Sequence, residues 1–123
     1  MKKVLDFHKE GYNCSESIIK AINEENNLDI PVSIATPFGG GMSVGTTCGA
    51  ITGAMMVLGA TKGRENAKDP NEARKYGRLL MNKIKEEYGT FDCIELKRKG
   101  VSCDEIIEYS YDALKEIMNE KEN

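Results

Sequence analysis

No apolar run in this chain approaches the ~18–20 residues that a membrane span needs. The amino terminus, MKKVLDFHKEGYN, carries two lysines but neither a hydrophobic block nor a small-residue cleavage site, so it does not read as a secretory signal. The cytoplasm is therefore the expected compartment, and thiols there are kept reduced. An excess of positive charge is also missing: 17 Lys and Arg face 20 Asp and Glu, a net charge of −3. Neither nucleic acid nor an anionic membrane is an expected partner. There is one histidine, His8, which reads as a surface residue. Without a nucleophile–base pair, hydrolytic or acid–base catalysis has no support.

The cysteines lack close pairs. Positions 14, 48, 93 and 103 leave separations of 34, 45 and 10, which excludes a Cys-x-x-Cys redox motif and a zinc ribbon. The FGGGM run at 38–42 is not followed by Gly-Lys-Ser/Thr, so it is no phosphate loop; it reads as a mobile cover or tight turn beside Cys48. No segment alternates apolar and polar residues as a half-buried strand does. The nearest candidate, DIPVSIA, contains Pro31 and is followed by Pro37, which favours a short helical turn.

What remains is helical. The 123 residues suit one domain, 1–123, able to bury roughly two-thirds of the surface its unfolded chain exposes without metal or disulfides. In 14–25, Cys14, Ile18, Ala21 and Ile22 share a helix face. In 70–88, opened by Pro70 and closed by Gly89, Ala73, Tyr76, Leu80, Ile84 and Tyr88 do so. Residues 103–119 repeat the pattern with Cys103, Ile106, Ile107, Ser110, Leu114, Ile117 and Met118. Residues 48–60 form a more apolar, glycine-rich helix, expected at the centre. Shorter helices fit 2–10 and 93–99, with residues 1–10 and 119–123 expected to be peripheral or frayed. The fold class is a compact all-α domain of about five helices.

Each cysteine has the same kind of neighbours: NCSE at 13–16, TCGA at 47–50, DCIE at 92–95 and SCDE at 102–105. Asn13, Thr47, Asp92 and Ser102 are all good N-cap residues, and Glu16, Glu95 and Glu105 add the capping-box spacing in three of the four. Cys14, Cys48, Cys93 and Cys103 are thus each expected to be the first residue of a helix. Unpaired amides and the macrodipole there favour a thiolate, which is both nucleophile and metal ligand. The apolar stripes point the sulfurs inward, so the simplest arrangement brings several helix starts to one place. Buried inert thiols are the bland alternative, and four matching positions weigh against it. Gly45, Gly49 and Gly53 recur every fourth residue and would let another backbone approach closely. Gly39, Gly40, Gly41, Gly49 and Gly53 are the candidates for close approach to a bound group.

NCSE, then FGGGM, then TCGAITG, then one cysteine and a last one before the final helix resemble a family of small redox-active proteins. That family is named for the pattern Cys…Gly-Cys-Ala-x-x-Gly…Cys…Cys, and the resemblance runs from Gly11 to about Tyr111. Thr47 stands where the label has a glycine before the second cysteine. Ser43 and Val44 stand where members carry a basic residue, so no role for that charge carries over. The resemblance implies redox activity of Cys14, Cys48, Cys93 and Cys103, and related domains are joined to electron-transfer modules.

Two forms of that chemistry are open: dithiol/disulfide cycling, or an iron–sulfur cluster held by the four cysteines, with an electron-transfer protein as partner. Within this class Cys48 is expected to be the most accessible sulfur, and Cys93 and Cys103 the nearest neighbours. A structural zinc site on the same four residues and a plain helical interaction domain are the alternatives. The close-packing glycines leave a homodimer open.

Overall fold

The computed structural model describes residues 2–119; the expected fraying of 120–123 lies outside them. It is 73% helical. The helices are α1 (Val4–Lys9), α2 (Cys14–Asn26), α3 (Gly49–Lys62), α4 (Glu72–Tyr88), α5 (Cys93–Arg98) and α6 (Cys103–Met118). A 3-10 helix, Val32–Phe38, supplies the turn expected around the prolines and runs through Pro37. A short wide turn, Gly41–Gly45, follows it. No strand forms among the described residues, only an isolated antiparallel bridge between Thr47 and Asp92.

Local chemistry sets the helix ends. Asn13 accepts from the Glu16 N–H while Glu16 returns the bond to the Asn13 N–H, a complete capping box. Asn27 closes α2 in the left-handed region, and Gly89 closes α4 in the same way. The cap of α4 is Asn71 rather than Pro70. Asp92 caps α5 and Ser102 caps α6.

The expected central helix is central: α3 packs against α2, α4 and α6, burying Ile51, Ala54, Val57 and Leu58. Gly49 and Gly53 form its contact with α2. A Cβ on Gly53 would sit 2.9 Å from the Ser15 carbonyl oxygen, and one on Gly49 2.9 Å from that of Phe38. Gly45 lies outside α3, in the preceding turn with φ +80°. The glycine face left open for a dimer is therefore occupied within the chain by α2. Residues 4–9, expected at the periphery, contribute to the core instead: Val4 and Phe7 fill the groove where α1 meets α2 and α6.

Residues 30–61 contain no charged residue, although 30% of the chain is charged. Among the described residues, the five exposed large hydrophobic side chains lie in or beside this stretch: Ile34, Met42, Val44, Met55 and, packed against Gly45, Ile94. The uncharged stretch contains Cys48 and forms the surroundings of the candidate site.

Candidate functional site

Three cysteines stand where the capping pattern puts them. Cys14, Cys93 and Cys103 are the first residues of α2, α5 and α6, after caps whose side chains accept first-turn N–H groups. Cys48 differs. Gly49 is the first residue of α3, and Cys48 itself occupies the cap position. TCGA lacks the glutamate that marks the other three starts, and this is the signal that distinguishes them. The Cys48 carbonyl accepts from the Ile51 and Thr52 N–H groups. No cap hydrogen bond of standard geometry reaches its side chain, yet the Ala50 and Ile51 amides are aimed at the sulfur and favour its thiolate.

The bridge between Thr47 and Asp92 joins the starts of α3 and α5. The Cys48 N–H donates to the Phe91 carbonyl at 2.8 Å, and the Cys93 N–H to that of Thr46 at 2.7 Å. Both cysteines immediately follow this two-bond ladder. Their separation of 45 residues hides the pairing from local sequence patterns.

All four thiols are free, and the charges of the other cysteines are felt at Cys14 and Cys48. Burial pushes the Cys14 thiol up to about 12. The negative charge that Cys48 and Cys103 would carry adds to this, as do a hydrogen-bonding interaction with Cys103 and the charge of Cys93. Cys48 is raised chiefly by burial, against the pull of its two amides, and further by Cys93 and Cys103. Cys14 thus has Cys103 among its side-chain neighbours. Cys48, expected to be the most accessible, is the least: it is 3% exposed, while the other three are half-buried. Gly49 leaves the sulfur no screening side chain, but the backbone of Phe38 and Gly39 lies over that glycine.

The glycines of the FGGGM run meet protein. A Cβ on Gly39 would collide with the Asn13 side chain. One on Gly41 would lie 2.7 Å from the Thr46 backbone and 2.8 Å from the Cys93 Cβ; only Gly40 faces open space. Gly40, Gly41, Met42 and Ser43 follow one another at φ +60° to +67°. For Met42 and Ser43 this costs roughly 1–2 kcal/mol each.

His8 has a partner that no local pattern shows, since Nδ1 lies 3.1 Å from Asp104 Oδ1, ninety-six residues away and next to Cys103. Ser15, beside Cys14, is fully buried against Gly53, and its hydroxyl has no hydrogen-bond partner among the described residues. Among the described residues, no three His, Cys, Asp or Glu side chains are disposed to hold a metal ion. No helix among those residues is long and apolar enough to cross a membrane.

No curated protein and no solved structure matches the chain. A family model matches over residues 12–117, a span that takes in all four cysteines, the three α3 glycines and the triple glycine. The chain belongs to the family described as "Putative redox-active protein (C_GCAxxG_C_C)".

Proposed function

We propose that this protein is a thiol-based redox carrier in which Cys93 and Cys48 cycle between dithiol and disulfide in exchange with a disulfide-bearing partner protein. The observation that supports this reading is that four free thiols stand at four helix starts and that the Thr47–Asp92 bridge joins the starts carrying Cys48 and Cys93, whose charge is felt at Cys48. Cys93 is the half-exposed member and serves as the entry thiol; the buried Cys48, with two amides aimed at it, serves as the resolving thiol.

The step balances. The Cys93 thiolate attacks one sulfur of the partner disulfide, and the other partner sulfur leaves as a thiolate. The Cys48 thiolate then attacks Cys93 in the mixed disulfide and releases the second partner thiolate. This chain gives up two electrons and two protons, and the partner disulfide is reduced to two thiols. Cys14, pushed up to about 12 chiefly by burial, holds its proton firmly and stays out of the exchange with Cys103 beside it.

A specific observation favours a second reading, an iron–sulfur cluster. The charges of the other three thiolates raise the proton affinity of Cys14, and those of Cys93 and Cys103 that of Cys48, a burden that a cationic cluster would relieve. Against it, no three of the described side chains stand as metal ligands. One preparation separates the readings. Protein purified without oxygen and without a metal-capturing tag is analysed for iron and zinc, then equilibrated in dithiol/disulfide buffers and mapped by mass spectrometry. Dithiol chemistry predicts no stoichiometric metal and a reversible Cys48–Cys93 disulfide. Near-stoichiometric iron, or thiols that stay reduced across the whole buffer range, overturns it.

A further inference from the structure

The segment Phe38–Gly45 is laid across three of the four cysteine-bearing helix starts, and its glycines make the contacts. Gly39 rests on the Asn13 side chain at the head of α2. The Phe38 carbonyl and the Gly39 Cα lie over Gly49 at the head of α3, and Gly41 lies against the Cys93 Cβ at the head of α5. Gly45 meets the Ile94 side chain. The atoms nearest these glycines include none from the head of α6.

The same segment is held in an unfavourable backbone conformation. Gly40 to Ser43 are consecutively left-handed, and two of these four residues have side chains. Its own tethers are few: the Ser43 hydroxyl donates to the Pro37 carbonyl at 2.8 Å, and the Thr46 N–H and hydroxyl share the Gly41 carbonyl. Its apolar side chains add little burial, because Met42 is 45% and Val44 73% exposed. Tight contact, strain and scant anchoring in one segment describe a cover that opens without the rest of the domain unfolding.

We propose that Phe38–Gly45 is a strained strap gating the thiols, closed in this structure, and that reagents reach Cys48 only when it lifts. This goes beyond the redox reading: the gate would control access to Cys48 whether the thiols exchange disulfides or do nothing.

The test is cysteine-resolved alkylation of the reduced, full-length protein, read by peptide mass spectrometry beside a thermal melt. Ser43→Ala removes the tie to Pro37 and is expected to speed Cys48 labelling several-fold. Gly41→Ala, which drives a Cβ into Thr46 and Cys93, is expected to speed it at least tenfold. Met42→Asn, a residue more at ease in the left-handed region, is expected to slow it about threefold. Cys103 labelling is expected to hold constant throughout. Should Gly41→Ala fail to fold, the other two variants decide. The proposal falls if Cys48 labelling is the same in Ser43→Ala, Met42→Asn and the natural sequence, or if each change in rate merely follows the change in global stability.

Discussion

The first turns of α2 and α3 touch, with Gly49 under the Ser15 backbone, yet they are built on opposite plans. At α2 the backbone is satisfied by a dedicated pair, Asn13 and Glu16, which leaves Cys14 free to face its neighbours. At α3 the cysteine takes the cap position, Thr47 is spent on the bridge to Asp92, and no glutamate closes the turn. One start holds a thiol that keeps its proton; at the other, amides aimed at the sulfur partly offset burial. Two cysteine-bearing starts thus yield thiols of different character, because their caps and partner elements differ.

The largest effect that would sharpen this contrast is on Cys14 reactivity. A thiol moved from 9.0 to about 12 has, at pH 8, a thiolate fraction on the order of a thousandfold below that of an ordinary one. Cys14 should accordingly alkylate far more slowly than an equally exposed model thiol. Linkage fixes the sign for stability. Between 9.0 and about 12 the native state binds more protons than the unfolded one, so stability is full below this window and falls as pH rises through it. Cys14→Ser should flatten that part of the curve, and equal slopes in urea-melt series of the two proteins would contradict the assignment.

Next in size is the contact between the two starts. Gly53→Val places a Cβ against Ser15 backbone that cannot swing aside, and should cost about 2–3 kcal/mol in chemical denaturation. Asn13→Ala removes a box that also supports Gly39 and bonds to Thr36, for an expected loss of about 1–2 kcal/mol. Ser15→Ala should move the other way, gaining about 1 kcal/mol, because the hydroxyl is buried without a partner. The smallest change is expected at Thr47→Ala. With no cap bond to lose, it should shift stability by under about 0.5 kcal/mol, and a loss equal to that of Asn13→Ala would erase the contrast.

Helix positions, the caps at Asn13, Asp92 and Ser102, and the inward stripe of α6 were legible in the sequence because each depends on residues within a turn or two. The apolar character of α3 and its glycines likewise announced a central, closely approached helix. The bridge between Thr47 and Asp92 and the pairing of His8 with Asp104 were not legible, since neither partner carries a local mark of the other. The left-handed run through Met42 and Ser43 was hidden for a different reason: those residues disfavour it, and tertiary contacts impose it. Cys48 is buried, and the backbone of Phe38 and Gly39 lies over the glycine that follows it, which is why accessibility read from flanking glycines pointed the wrong way. Glycine made room, and the protein's own backbone filled it.

The thiol cluster is assembled from the beginning, middle and end of the chain, and this sets a schedule for its biosynthesis. Cys14 precedes Cys103 by 89 residues, and Cys103 begins the last helix. At about 5–20 residues per second, Cys14 is translated roughly 4–18 s before its sulfur neighbour exists. Over that interval the glycine-faced α3 can dock on α2 and bring Cys48 to the start of α2, but Cys103 does not yet stand beside Cys14. The newborn chain therefore passes through a stage with its thiols present and their final partners absent, when mispairing is limited by the redox state of the surroundings and not by the fold.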